Sequence, residues 1–138
     1  MVFISRIPDL TQEISHSTYE DARSRYCRLL PILPPSATEI HRIRNIDNSE
    51  LVGGFRFDSA DRELLIDSLT PITGELALPM WRIFPQPPWW PVELTESSAT
   101  ILENFEIHRC KIDEMEGTLA LDREEDIAWF WNDVSIEP

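Results

Sequence analysis

The fold is decided by residues 101–131, which read ILENFEIHRCKIDEMEGTLALDREEDIAWFW. Apolar and polar side chains alternate here in three stretches, and a period of two places successive side chains on opposite faces of a β-strand. The two polar stretches that separate them, Glu116-Gly117 and residues 123–126, are the expected turns. We therefore predict a three-stranded antiparallel meander. The alternating apolar positions are Phe105, Ile107, Leu119, Leu121, Ile127, Trp129 and Trp131.

A helix is expected upstream of the meander, beginning at residues 17–20, STYE. This is a capping box. The hydroxyl of Ser17 accepts a hydrogen bond from an unpaired backbone amide in the first turn, and the side chain of Glu20 accepts one from the Ser17 amide. Apolar residues follow at helical spacing as far as Leu30. Pro31 should end the helix, because it denies helical geometry to the residue before it.

A strand is predicted to begin near Thr38–Ile40, and a second one to run from 51 to 57 after a turn at 47–49. Gly53-Gly54 lies inside the second strand and indicates a bulge or a close approach of another backbone. A second helix should follow, capped by Asp58 or Ser59. Residues 1–16 are weakly patterned and are expected to form an arm on the domain surface.

Residues 79–91, PMWRIFPQPPWWP, combine five prolines with three tryptophans. The stretch is too apolar for a solvated linker, so an ordered loop held by its tryptophans is expected. With 138 residues and no second break in composition, the chain reads as one domain, 1–138.

These elements give an α+β fold, with two helices packed on a mainly antiparallel sheet of about five or six strands. The residues expected in its core are Tyr26, Leu29, Ile40, Phe55, Phe57, Leu65, Leu69, Phe105, Ile107, Leu119, Leu121, Ile127 and Trp129.

The charge of the chain limits its partners. It has 12 basic and 25 acidic residues, a net charge of −13. Such a field repels phosphate backbones and anionic membranes, so no nucleic-acid or membrane partner is expected. A protein with a basic surface is the partner that this charge favours. No secretory signal or apolar run of membrane-spanning length is visible, which predicts a cytoplasmic location.

No motif for catalysis or metal binding stands out. Cys27 and Cys110 lack the spacing of a zinc site and are expected to be reduced, buried thiols, with a disulfide or a reactive thiol as open alternatives. The histidines also match no metal motif, although a Cys27–His108 or Cys110–His41 dyad across elements stays open. The acidic turns are expected to be solvated, with a calcium site as the alternative. No metal, cofactor or catalytic residue is therefore predicted.

One family resemblance is visible. Residues 31–69, which contain LPPSATEI followed by an FRF strand and a helix, resemble small uncharacterised bacterial proteins with an LPPSA-x-x-I core, some of them lipoprotein-like. The ending Asp126-Ile127-Ala128-Trp129-Phe130-Trp131 is similar to theirs. The chain departs from the lipoproteins because its first cysteine is Cys27 rather than an N-terminal lipid-attachment residue. The resemblance implies no known activity.

We therefore predict a non-catalytic binding or interaction protein, and specifically an acidic inhibitor or immunity-type protein. Its binding residues should be Trp81, Arg82, Trp89 and Trp90, because a proline-fixed loop that presents tryptophan and arginine loses little entropy on binding. Packing of the tryptophans into the core is the competing hypothesis for this loop. The alternative function is a small-ligand binder or hydrolase-like enzyme with a pocket under the 79–91 loop.

Overall fold

The structure, a computed structural model, describes residues 11–45, 50–67, 69–71, 88–91, 94 and 98–132. Its centre is one antiparallel sheet of six long strands and one two-residue strand. The strands are β1 (Thr11–Thr18), β2 (Thr38–Asn45), β3 (Glu50–Arg56), β4 (Thr70–Pro71), β5 (Phe105–Ile112), β6 (Met115–Asp122) and β7 (Ile127–Asn132). The described helices are α1 (Tyr19–Ser24), α2 (Arg62–Asp67) and α3 (Ser98–Asn104), with 3₁₀ turns at Leu30–Ile32 and Ser59–Asp61.

Two meanders build the sheet, whose strand order is β1-β2-β3-β7-β6-β5-β4. Strands β1 to β3 form one meander, and β5 to β7 form the other. They join through β3 and β7, where Gly54 lies opposite Trp129. The C-terminal meander is therefore confirmed, and its last strand becomes the central partner of the N-terminal half.

Both faces of the sheet carry a hydrophobic core, because apolar residues occupy both sets of alternating positions in the central strands. On the leucine face, Leu51, Phe55 and Phe130 pack with Ala22 of α1 and Leu65 of α2. The tryptophan face is formed by the opposite positions of the strands, packed against Trp90, Leu94 and Ile101. Its buried members are Ile43, Val52, Trp90, Leu94, Ile101, Phe105, Ile107, Ala120 and Trp131.

The α+β class is confirmed, with strands dominating and short helices. Helices α1 and α2 both contribute to the leucine face, whereas Ile101 of α3 packs on the other face. Helix α3 was missed because Ile101 was assigned to the strand that follows it.

The first helix is shorter than predicted, and its cap lies one residue later. The Thr18 hydroxyl, not that of Ser17, accepts the amide of Asp21 at 3.1 Å. The helix ends in a Schellman-type turn, in which the Cys27 amide donates to the Ala22 carbonyl at 2.9 Å. Tyr26 takes the left-handed position of that turn with φ 57°. It is 87% exposed, so its assignment to the core was wrong.

The rest of the predicted core divides into buried and partly buried residues. Leu69, Ile127 and Trp129 are only partly buried. The other predicted core residues are buried: Leu29, Ile40, Phe55, Phe57, Leu65, Phe105, Ile107, Leu119 and Leu121.

Two further boundaries differ from the prediction. Residues 11–16 of the expected arm belong to β1, which pairs with β2 along its length. The turn before β6 lies at residues 113–114, and Gly117 is inside the strand. A Cβ at Gly117 would lie 2.6 Å from Phe130 Cε1, so the glycine permits close packing rather than a turn. The predicted turn at 47–49 and residues 79–87 of the proline-rich loop lie outside the described residues.

Candidate functional site

A row of cross-strand neighbours on the tryptophan face forms the floor of the candidate site. Ser15 of β1 pairs with His41 of β2, His41 with Gly54 of β3, and Gly54 with Trp129 of β7. A Cβ at Gly54 would lie 2.2 Å from the Trp129 ring. Glycine is therefore required at this position for the indole of Trp129 to lie across the strand. The predicted close approach of a backbone is found at the neighbouring Gly53, where a Cβ would lie 2.6 Å from the backbone oxygen of His41.

Trp89 of the proline-rich loop completes an aromatic stack on this floor. Its ring is nearly parallel to His41, with centroids 5.2 Å apart, and to Trp129, with centroids 6.3 Å apart. Its Nε1 donates a hydrogen bond to Glu13 Oε2 at 2.7 Å, and the His41 ring is bonded to the Ser15 hydroxyl at 2.8 Å. Glu13 thus orients the ring of Trp89 and Ser15 that of His41, and both of these residues belong to β1.

A β-bulge places a carboxylate beside the stack. Between Thr38 and His41, three steps along β2 match two steps along β3, so β2 carries one extra residue. Glu39 lies in this bulge with φ 47°, a conformation that is unfavourable for a residue with a side chain. Bulges of this kind redirect side chains and are common beside functional sites. Here Glu39 Oε2 meets Arg56 Nε at 3.3 Å.

Together these residues line a groove of about 180 Å³. Pockets for drug-sized ligands measure about 300–1,000 Å³, whereas a cavity of ~150 Å³ holds one benzene molecule. The groove is therefore sized for one side chain or one ring rather than for a metabolite. We call it the aromatic groove, and its principal lining residues are Glu39, His41, Arg56, Trp89, Ile127 and Trp129.

The surroundings of the aromatic groove are acidic. Arg56 contacts Glu39 at 3.3 Å and Glu125 at 3.6 Å, so two carboxylates share one guanidinium. Glu13 adds a third carboxylate through its bond to Trp89. All three carboxylates belong to exposed residues, where they set the sign of the local field rather than stabilise the fold.

The predicted site residues divide between the groove and the core. Trp89 is partly buried and lines the aromatic groove. Trp90 is 5% exposed and packs edge-on against Trp129 and Trp131, so it belongs to the core. Trp81 and Arg82 lie outside the described residues.

Sequence reasoning considered His41 only as a partner of Cys110, missed Glu39 and assigned Trp129 to the core. The signal that could have found the floor is Gly54, because a glycine in a central strand indicates that another group approaches closely. The bulge at Glu39 left no comparable trace in the sequence.

In the described part of the chain, the other candidate residues contact nearby side chains or hydrogen-bond to the backbone of a turn. His16 contacts Asp21 at 3.1 Å, and His108 contacts Glu106 at 3.0 Å. Asp122 Oδ1 accepts the amides of Glu124 and Glu125, so this carboxylate closes its own turn. Among the described residues, no group of three or more His, Cys, Asp or Glu side chains could hold a metal ion.

The Cys110–His41 dyad considered above does not form. Cys27 is a buried residue and Cys110 is partly buried. Cys110 packs against the leucine face, whereas His41 lies on the tryptophan face, so the sheet separates them. Burial raises the pKa of the Cys27 thiol, which disfavours the nucleophilic thiolate.

No protein-family model, curated protein or solved structure matches the chain. The described helices include none that is long and apolar enough to cross a membrane. The resemblance to the LPPSA-x-x-I proteins stays an expectation.

Proposed function

We propose that the protein is a non-catalytic binding module whose aromatic groove takes up an arginine side chain of a basic partner protein. The observation that carries this proposal is the pair of nearly parallel indoles, Trp89 and Trp129, beside the carboxylate of Glu39. A guanidinium stacks on flat aromatic faces and binds carboxylates through its planar fork. Such a role is that of an acidic inhibitor or immunity-type protein, acting in the cytoplasm.

The size of the groove supports a side chain as the occupant. At about 180 Å³ it is smaller than pockets that enclose whole metabolites. The alternative of a small-ligand pocket or a hydrolase-like site under the 79–91 loop stays open, because residues 79–87 of that loop lie outside the described residues.

Charge supports a cation as the occupant. Among the described residues around the groove, the carboxylates of Glu13, Glu39 and Glu125 outnumber the guanidinium of Arg56. The net charge of −13 adds a long-range field that steers basic partners toward the protein. Arginine is favoured over lysine because its planar group matches both the rings and the carboxylates.

The test is a titration of ¹⁵N-labelled protein with the peptide acetyl-Gly-Arg-Gly-amide, followed through the indole N–H signals. We expect saturable shifts of the Trp89 and Trp129 signals, weaker shifts with the lysine peptide, and none with the citrulline peptide. Citrulline keeps the shape of arginine and removes its charge, so it separates cation binding from general contact with the rings.

Matched variants connect the binding to the groove. Glu39→Gln should weaken arginine binding by roughly three- to tenfold, in keeping with the loss of ~1 kcal/mol from one charged contact. Glu63→Gln makes the same chemical change at an exposed position of α2, which packs on the leucine face, and should leave binding unchanged. Equal shifts with the citrulline peptide, or an unchanged affinity in Glu39→Gln, would contradict the proposal.

A further inference from the structure

Three arginines lie near one another at the end of the sheet remote from the β6–β7 turn. Arg42 and Arg44 are two apart on β2, so they project on the same face as Ile40 of the leucine core. The pKa of Arg42 is lowered by burial and also by the positive charges of Arg44 and Arg28. The chain has only 12 basic residues against 25 acidic ones, so a group of three cations is unusual for it.

Arg42 is buried beneath residues 27–29. It pairs with Gly53 of β3, and a Cβ at Gly53 would lie 2.7 Å from Leu29 Cδ1, which places this segment directly over the two strands. Only 9% of Arg42 is exposed, and its Nε and Nη1 are buried without a hydrogen-bond partner. The Nε of Arg28 is likewise buried without a hydrogen-bond partner.

No counterion for this group is found within the described residues. The arginine ion pairs there belong to other positions: Arg23, Arg25, Arg56, Arg62 and Arg109. The Cys27 thiol lies close to Arg42, but burial raises the pKa of that thiol, so it stays neutral and supplies no negative charge. Buried charges in proteins are paired or hydrogen-bonded, because an isolated one is costly.

We propose that Arg28, Arg42 and Arg44 form a site for a phosphate-type oxyanion on the leucine face. A phosphate group carries about −1.5 to −2 charges and several strong acceptor oxygens, so it offsets three guanidinium groups better than a single carboxylate does. Buried donors without an acceptor are the groups that such an oxyanion would satisfy. The site lies on the opposite face from the aromatic groove and does not depend on the proposed function.

The experiment is thermal unfolding of the full chain while inorganic phosphate replaces chloride at constant ionic strength. A ligand that binds only the folded state raises the melting temperature, by roughly 4 °C at ten times its dissociation constant. We expect a saturable rise of this order for the wild type. Acetate, which carries only one negative charge, should raise the melting temperature by less than about half as much as phosphate does.

Variants separate a site from the general stabilising effect of phosphate, which acts by exclusion from any protein surface. Arg28→Gln and Arg44→Gln involve partly exposed residues and should each reduce the phosphate-dependent rise by about half or more. Arg123→Gln, in the β6–β7 turn at the other end of the sheet, is the matched control and should keep the full rise.

Arg42→Met should abolish the rise and leave the phosphate-free protein at least as stable, because it replaces a buried cation with an apolar side chain. Absence of a saturable rise in the wild type would overturn the proposal, and so would an equal rise in the wild type, Arg28→Gln and Arg44→Gln. A larger rise with O-phosphoserine than with inorganic phosphate would support the site and assign its oxyanion to a larger ligand.

Discussion

The two faces of the sheet are built from the same strands but differ in how completely they are closed. On the leucine face, Phe55, Leu119 and Phe130 are at most 1% exposed and lie beneath short helices. On the tryptophan face, a buried cluster around Trp131 gives way to partly buried Trp89 and Trp129, which line the aromatic groove. The apolar core of the leucine face is therefore covered, whereas the tryptophan face leaves part of its aromatic surface available for contact.

Two adjacent glycines of β3 face opposite sides of the sheet. Gly53 and Gly54 are adjacent in β3, and each makes room for a side chain on a different face. Leu29 packs over Gly53, and the Trp129 ring lies over Gly54. A strand can therefore serve stability at one position and the candidate site at the next, because its side chains alternate between faces.

The largest expected effect comes from the two neighbouring tryptophans of the proline-rich loop. Trp90→Ala should destabilise the protein by about 3–5 kcal/mol, since it removes a buried aromatic side chain. Trp89→Ala should cost only about 1–2 kcal/mol, because its ring is partly exposed and loses mainly its stacking contacts. Urea unfolding of both variants measures the difference.

The Trp89→Ala and Trp90→Ala variants also distinguish an effect on stability from an effect on binding. Trp89→Ala should lose the affinity for the arginine peptide while it remains folded. If Trp89→Ala destabilises the protein as much as Trp90→Ala does, Trp89 is a core residue, and the distinction between the buried cluster and the groove fails.

Much of the sheet was predictable from the sequence, because the alternation that forms it is a local property. The C-terminal meander and the close approach at the Gly53-Gly54 pair were both visible in the order of residues. The central pairing of β3 with β7 was not, because it joins residues more than seventy positions apart and no local pattern specifies it.

The candidate site was predictable only in part for the same reason. Trp89 was identified because its loop combines proline with tryptophan. His41 and Trp129 were missed because they become neighbours of Trp89 only through the sheet register. Tyr26 was misassigned because helical spacing does not reveal where a helix stops when a residue other than glycine takes the left-handed position.

The adjacent glycines give a second and smaller test of the two faces. Gly53→Ala should cost about 3 kcal/mol, at the upper end of overpacking effects, because its Cβ would lie 2.6 Å from the backbone oxygen of His41. Gly54→Ala should cost about 1–2 kcal/mol, because its closest neighbour is the partly exposed ring of Trp129, which can move. Urea unfolding gives the costs, and arginine-peptide titration should show binding lost in Gly54→Ala. Retained binding in that variant would mean that the position of the Trp129 ring does not define the groove.

The smallest effect concerns thiol labelling, which reports how tightly the leucine face is closed without changing its stability. Cys27 is buried there, and burial raises the pKa of its thiol, so both access and the thiolate fraction are low in the folded state. Cys110 is only partly buried and should react first with a thiol reagent at neutral pH. Mass spectrometry of the labelled protein should show one modification appear early and the second only at a rate set by opening of this face. Labelling of Cys110 in Cys27→Ala and of Cys27 in Cys110→Ala identifies the two phases. Rapid labelling of Cys27 under native conditions would show that the leucine face opens as readily as the aromatic groove, and the contrast between the two faces would then be lost.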